Sequence, residues 1–263
     1  MERSPIPIAL TVAGSDPSGG AGLQADLKTF HQHRVYGASV VTLLTVQSTT
    51  AVSRVEVMSA ELVDQQLAAV LGDFRPDAVK TGALGNAAVI EVVARRLQGL
   101  RVVVDPVMVS KHGHALLGDE ARATLVRQLL PRALLLTPNA HEAEALLGRP
   151  VRTLAQARDA ARALQHLGAT NVLLKGGHLE EPDAVDVLAM GASLHEFHAP
   201  RLATTHTHGT GCTLASAITA WLARGTTLEE AVTHARAFIS RAIETAPLVG
   251  QGVGPVNHFA AIE

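Results

Sequence analysis

Residues 8–30 read IALTVAGSDPSGGAGLQADLKTF: an aliphatic run from Ile8 to Ala13, a glycine-rich turn from Gly14 to Gly22, then a helical stretch through Asp26 and Phe30. A short aliphatic strand that runs through such a turn into a helix is half of a βαβ unit. The same succession returns along the chain. Val40–Val46 reads as a strand ending at Gln47, Ala60–Leu71 as a helix, Ala78–Lys80 as a short strand, and Asn86 as the cap of a helix reaching about Gln98. Val102–Val104 is closed by Asp105 and Pro106, and Leu134–Thr137 by Pro138 and Asn139.

Helices are expected over Gly118–Leu130, His141–Leu147 and Thr153–Leu167, the last with Thr153 as N-cap. Val172–Lys175 is a further buried strand, stopped by Gly176 and Gly177. Ala184–Ala189 and Leu194–His198 flank Gly191 and suit a hairpin at the sheet edge. Helices over Cys212–Ala223 and Leu228–Thr245, with Gly225 between them as C′ residue, close the chain. The expectation is an α/β fold of three layers, a mostly parallel sheet flanked by helices, forming a single domain over 1–263.

Composition agrees with that fold. Of the 263 residues 47% are apolar but only 3% aromatic, so the core must be aliphatic. A parallel sheet covered on both faces calls for just such runs of Val, Leu and Ile. A formal net charge of −2 offers no basic field for nucleic acid or a membrane surface. One cysteine excludes an internal disulfide framework and fits a reducing, cytoplasmic setting. The start, MERSPIPIALTVAGSD, is too short in its apolar stretch for a signal peptide, and no apolar run suits a membrane span.

Open parallel sheets bind ligands outside the carboxyl ends of their strands. Gln47, Asp105, Asn139 and Lys175 stand at such ends and should converge on one crevice. In THTHGTGCTLASAITAW, the glycines of the turn His208–Cys212 enter a helix whose unpaired amides and dipole suit a phosphate. Cys212 at this helix start is either a small buried hydrophobe or a thiol whose thiolate is favoured enough to act as base. Lys175, leaving a buried strand before two glycines, is either solvated or reaches a phosphate. Asp105, Asn139 and Glu142 offer oxygen ligands suited to hydrated Mg²⁺, although a turn acid at Asp105 and helix capping at Asn139 and Glu142 are equally open. Asp26 and Gln47 suit a small heterocycle, since a planar amide pairs with a ring nitrogen beside an exocyclic amine.

Several other readings fail on the residues. No GxxxxGK[ST] sequence occurs, so any nucleoside triphosphate is held by other means. Gly20, Gly22 and Ala25 match the dinucleotide pattern GxGxxA, but the second strand ends in Thr45, Val46, Gln47 and Ser48 without the acid that would hold a ribose. The 13 histidines include the spaced pairs His31 and His33, His112 and His114, and His206 and His208, none in a zinc-binding pattern. No GxSxG elbow marks an α/β-hydrolase.

The segments LTVAGSDPSGGAGLQADLKTF, KTGALG, VVVDPVMVSKHGHALL, LLTPNAHEAEALLG, LLKGGHLEE and THGTGCTLASAI, in this order over nearly the whole chain, resemble the hydroxymethylpyrimidine and phosphomethylpyrimidine kinases of thiamine biosynthesis. These belong to the ribokinase-like superfamily. The resemblance implies ATP- and Mg²⁺-dependent phosphorylation of 4-amino-5-hydroxymethyl-2-methylpyrimidine and then of its monophosphate, both at one site. It implies an anion hole at Gly209, Thr210 and Gly211 with Cys212 in the base position, and Lys175 and Thr210 on the phosphates of ATP. It places Asp105, Asn139 and Glu142 at the metal, and Gly14, Ala21, Asp26 and Gln47 at the pyrimidine. The expected partners are small-molecule substrates and ATP, with no nucleic acid or membrane, and the expected assembly is a homo-oligomer, with a dimer as its simplest form. Ala83, His114, Ala115 and Ser48 depart from residues common in that family. Pyridoxal kinase is the alternative within the class, and a non-catalytic ligand-binding relative the alternative outside it.

Overall fold

The computed structural model describes residues 6–109 and 116–262. His112, His114 and Ala115 lie outside the described residues. The first strand, β1, spans Ile8–Ser15, and β2 spans Tyr36–Gln47. β3 (Val52–Val57) returns antiparallel to the end of β2. β4 (Ala78–Thr81), β5 (Val102–Val104), β6 (Ala133–Leu136) and β7 (Asn171–Leu174) follow, each after a helix, and β8 (Ala184–Met190) and β9 (Ser193–Ala199) form the expected edge hairpin. Together they make a 9-stranded sheet in the order β3-β2-β1-β4-β5-β6-β7-β8-β9. From β2 to β7 every pairing is parallel.

Period-2 alternation sends neighbouring strand residues to opposite faces. Leu10, Val12, Val79, Val102, Val104, Leu136, Val172 and Leu174 pack on one side, under α2 (Ala60–Asp73), α3 (Ala87–Arg96), α4 (Asp119–Thr124), α5 (Ala140–Leu147) and α6 (Leu154–His166). Ala9, Ala78, Val103, Leu135 and Leu173 pack on the other, under α1 (Gly22–Gln32), α7 (Thr210–Ala223) and α8 (Leu228–Glu244). Burial on both faces is why these strands read as unbroken aliphatic runs.

Helix starts follow local chemistry. Asn86 Oδ1 accepts the Val89 N–H, and Thr153 with Gln156 and Thr227 with Glu230 form reciprocal capping boxes. Gly225, at φ 92°, occupies the left-handed turn after α7 as expected. Two differences from the sequence reading stand out. β3 was not anticipated: its residues are exposed or half-buried, so it lacks the apolar run that marks the other strands. The helix expected over Gly118–Leu130 keeps α-geometry only to Thr124, then widens over Leu125–Leu129 and tightens over Leu130–Arg132, where Pro131 cannot continue an α-helical ladder.

α1, α7 and α8 share an unusual core group. His33 is fully buried, its Nδ1 lies 2.8 Å from Thr29 O, and its ring meets Phe238 and Trp221 edge-on at 4.7 and 6.0 Å. Burial pushes the imidazole down to about 4, so the folded protein holds it neutral. In the unfolded chain it takes up a proton below pH 6.5, so its contribution is present above that value and lost as pH falls toward 4. Urea unfolding of wild type and His33→Leu at pH 7 and 4.5 should show a pH-dependent loss smaller by about 2–3 kcal/mol in the variant. Equal losses in the two proteins would place a charged or exposed imidazole at His33.

Candidate active site at the carboxyl edge of the sheet

A cavity of about 880 Å³ opens where the parallel strands end. Gly14 at the end of β1, Gln47 at the end of β2, Asp105 after β5, Asn139 after β6 and Lys175 after β7 all line it. A single backbone bridge pairs Asn139 with Lys175, extending the β6–β7 alignment to the rim. Ala21 and Gly22 from the first glycine turn, Glu142 from α5, and the whole turn His208–Cys212 complete the wall.

The two glycine turns touch. Gly209 has φ 79°, the left-handed region, and a Cβ there would fall 1.7 Å from Gly20 O. Only glycine satisfies both the dihedral and the approach. Thr210 N–H bonds back to Thr207 O and Thr213 N–H to Gly209 O, leaving the amides of Gly211 and Cys212 in the first turn of α7 beside the cavity. Lys175 Nζ would lie 3.2 Å from a Cβ on Gly211, so an ammonium and a helix N-terminus confront the same space. That combination attracts an anion.

Opposite charge sits just behind. Lys175 Nζ is 3.0 Å from Asp105 Oδ1 and 3.9 Å from Glu142 Oε2. Burial works against the ammonium, but the two carboxylates outweigh it and hold Lys175 above its usual pKa, so it stays charged. Burial pushes Glu142 up to about 7, with Lys175 opposing and Asp105 reinforcing the shift. Asn139 Oδ1 accepts the Glu142 N–H at 2.9 Å and Glu142 Oε2 accepts the Asn139 N–H at 2.8 Å. The Asn139 side chain therefore caps α5; of its two open readings, the structure shows this one, and its carbonyl oxygen is already engaged.

Two expectations require correction. Cys212 was expected to favour the thiolate at its helix start. Burial instead pushes its thiol up to about 11, and the carboxylates of Asp105 and Asp26 add to this against Lys80 and the Gly22 amide. Asp26 was expected to hold the heterocycle. It lies fully buried beneath the site, its oxygens both 2.9 Å from Lys80 Nζ and 2.6 Å from the hydroxyls of Thr11 and Ser216. Those partners take up the carboxylate, and Asp26 does not line the cavity. Lys80, which does line it, went unsingled in the sequence because it reads as the last residue of a strand.

Sequence reasoning also missed Asp16. Its Oδ2 lies 2.8 Å from His208 Nε2, which in turn lies 3.1 Å from Gln47 Nε2. All three line the cavity. The signal available was an acid in the first glycine turn, but nothing in the spacing ties residues so far apart.

A family model described as phosphomethylpyrimidine kinase matches residues 16–257, from the first glycine turn to past the last helix. The chain belongs to the phosphomethylpyrimidine kinase family. Within that family it is 46% identical to the hydroxymethylpyrimidine/phosphomethylpyrimidine kinase of Bacillus subtilis, covering 96% of this chain and 94% of that protein. It is 49% identical to the thiamine biosynthesis bifunctional protein ThiED of Geobacter sulfurreducens, covering 99% of this chain but 54% of that longer protein. The ADP complex of Bacillus subtilis pyridoxal kinase superposes with a TM-score of 0.91 at 38% identity, over 97% of this chain and 98% of that one. The phosphomethylpyrimidine kinase fold seen here is thus the ribokinase-like architecture expected from the sequence.

The buried Asp26–Lys80 pair is testable by a double-mutant cycle. Asp26→Leu should lower the free energy of urea unfolding by about 3–5 kcal/mol, because it strands a buried ammonium. Adding Lys80→Met should recover most of that loss. If the double variant is no more stable than Asp26→Leu, the pair is not the source of the cost.

Proposed function

We propose that this chain transfers a phosphoryl group from ATP to the hydroxymethyl group of 4-amino-5-hydroxymethyl-2-methylpyrimidine, and then to the monophosphate formed, as a cytoplasmic step of thiamine biosynthesis. The observation that carries this reading is the family match over residues 16–257. The site agrees with it: an anion-binding turn and an amide suited to a small heterocycle share one cavity.

In this reading the free amides of Gly211 and Cys212 face the migrating phosphoryl group, Thr210 holds the turn through its bonds to Thr207 O, and Lys175 supplies the positive charge across from them. Fixed donors of this kind can each contribute roughly 2.7–4 kcal/mol to a transition state. Asp105 and Glu142 suit Mg²⁺ held through water, since Glu142 Oε1 and Asp105 Oδ2 carry no hydrogen bond to another described residue. That ion would neutralise charge on the phosphates of ATP. Among the described residues no cluster of three or more His, Cys, Asp or Glu side chains forms a metal cage, which accords with an ion carried largely by phosphate and water.

Cys212 faces the acceptor as a neutral thiol. It holds the hydroxymethyl oxygen in line; that oxygen bonds to the γ-phosphorus as the bond to ADP breaks, and the hydroxyl proton passes late to an oxygen of the transferred phosphoryl group. The monophosphate attacks through an anionic phosphate oxygen, which the amides and Lys175 hold in place of Cys212. Pyridoxal is the second acceptor worth weighing, because a pyridoxal kinase superposes so closely.

Wild-type protein with ATP and Mg²⁺ should release ADP with the pyrimidine alcohol and with its monophosphate, and far more slowly with pyridoxal. Equal or faster turnover of pyridoxal would overturn the acceptor, and no turnover of any of the three would overturn the kinase reading. Cys212→Ala, which removes the contact that aligns the hydroxyl, should lower kcat for the alcohol by at least about tenfold, and for the monophosphate by less. Equal losses would make Cys212 a packing residue.

A further inference from the structure

Gln47 and His208 stand far apart in sequence and meet inside the cavity with two nitrogens 3.1 Å apart. His208 Nε2 also faces the Asp16 carboxylate at 2.8 Å. One ring nitrogen thus faces a carboxylate and an amide at once, with at most one hydrogen between them.

Asp16 decides where the proton sits. Its Oδ1 accepts from Ser18 N at 2.9 Å and Ser18 Oγ at 2.7 Å, and its Oδ2 accepts from Ala21 N at 2.8 Å. Burial alone would raise this carboxyl, but the hydrogen bonds from His208, Ser18 and Ala21 outweigh it and hold Asp16 below the usual carboxylate value. An ionised carboxylate accepts and never donates. His208 Nε2 therefore carries a hydrogen and gives it to Asp16, whether or not Nδ1 is also protonated. The imidazole has no freedom to turn away: Gly20 abuts it so closely that a Cβ there would fall 2.4 Å from His208 Cδ2. Backbone bonds from His208 N to Gly254 O and from Val256 N to His208 O clamp the same residue.

A protonated Nε2 cannot accept from an amide NH₂, so two donors would confront each other at 3.1 Å. The two ends of a glutamine amide have the same shape, and the hydrogen-bond network decides which is which. With the Gln47 carbonyl oxygen toward His208 the clash is removed, and the Nε2 hydrogen is shared in a three-centre bond, closer to Asp16 at 2.8 Å than to Gln47 at 3.1 Å. The oxygen's second lone pair then remains free, and the NH₂ turns to the cavity, where no other described residue hydrogen-bonds the amide.

We propose that Asp16 and His208 are positioning residues that fix the polarity of the Gln47 amide, so that the site selects a heterocycle with a bare ring nitrogen beside an exocyclic amine. The ring selection rests on the acceptor reading above; the polarity of the relay does not. A ring with an N–H beside a carbonyl presents the opposite pattern and meets donor with donor. A site whose buried polar groups are left unpaired rejects the mismatched ring more strongly than an apolar pocket would.

Two measurements test this. Long-range ¹H–¹⁵N correlation spectra of the free protein, with His208→Gln used for assignment, should show a hydrogen on Nε2 of His208. Calorimetric titration should then compare the 4-amino pyrimidine alcohol with its 4-oxo counterpart. Wild type should prefer the amino ring, and His208→Leu should reduce that preference at least about tenfold. His208→Gln, which keeps an N–H donor near the same place, should stay within about threefold of wild type. Asp16→Asn should give the same loss of preference while leaving His208 packed. An unprotonated Nε2, or an undiminished preference in His208→Leu and Asp16→Asn, would overturn the relay. Failure of wild type to bind either ring would overturn the acceptor assignment and the ring selection, while the tautomer still decides the relay by itself.

Discussion

A single carboxylate buried under the site ties its framework together. Asp26 on α1 accepts from Thr11 on β1, Lys80 on β4 and Ser216 on α7, so four elements meet at two oxygen atoms. In a low-dielectric interior such a charge is tolerated only when its partners satisfy it fully. Any shift of α7 along its axis would break the Ser216 bond, so the helix that presents the anion-binding turn is held in register with the sheet. Lys80 stays charged because Asp26 overcomes the cost of its burial, and its positive field reaches Cys212 from below.

On that base the cavity is organised by sign. The α7 N-terminus and Lys175 make one wall electropositive, while Asp105 and Glu142 stand behind Lys175 and keep its charge. A phosphate entering this space meets donors already aimed at it, and little reorganisation remains to be done. The other end of the cavity is governed by hydrogen bonds rather than charge, with Gln47, His208 and Asp16 in one chain. His208 adjoins Gly209, so the residue that orients the amide also enters the phosphate turn. The two halves of the site are neighbours along the backbone as well as in space.

Close approach is the steric counterpart of these bonds. Gly209 against Gly20 O brings the first βα turn onto the start of the last long helix pair, an encounter between residues most of the chain apart. A residue with a Cβ at either glycine would separate the turns and open the anion site.

The strands buried on both faces, the capped helices and the edge hairpin were legible in the sequence, because their signals are local: period, caps and turn residues within a few positions. Strand-end placement likewise brought Gln47, Asp105, Asn139 and Lys175 to one edge, since topology alone puts them there. β3 was illegible because an exposed strand carries no apolar run. The fates of Asp26, Asn139 and Cys212 were settled only by tertiary structure. A carboxylate's role depends on whether its partners are solvent or a buried lysine, an asparagine's on the direction its amide faces, and a thiol's charge on how much water surrounds it. None of these is a property of spacing. Sequence determined which residues arrive at the cavity; the fold decided which of them face it, and with what charge.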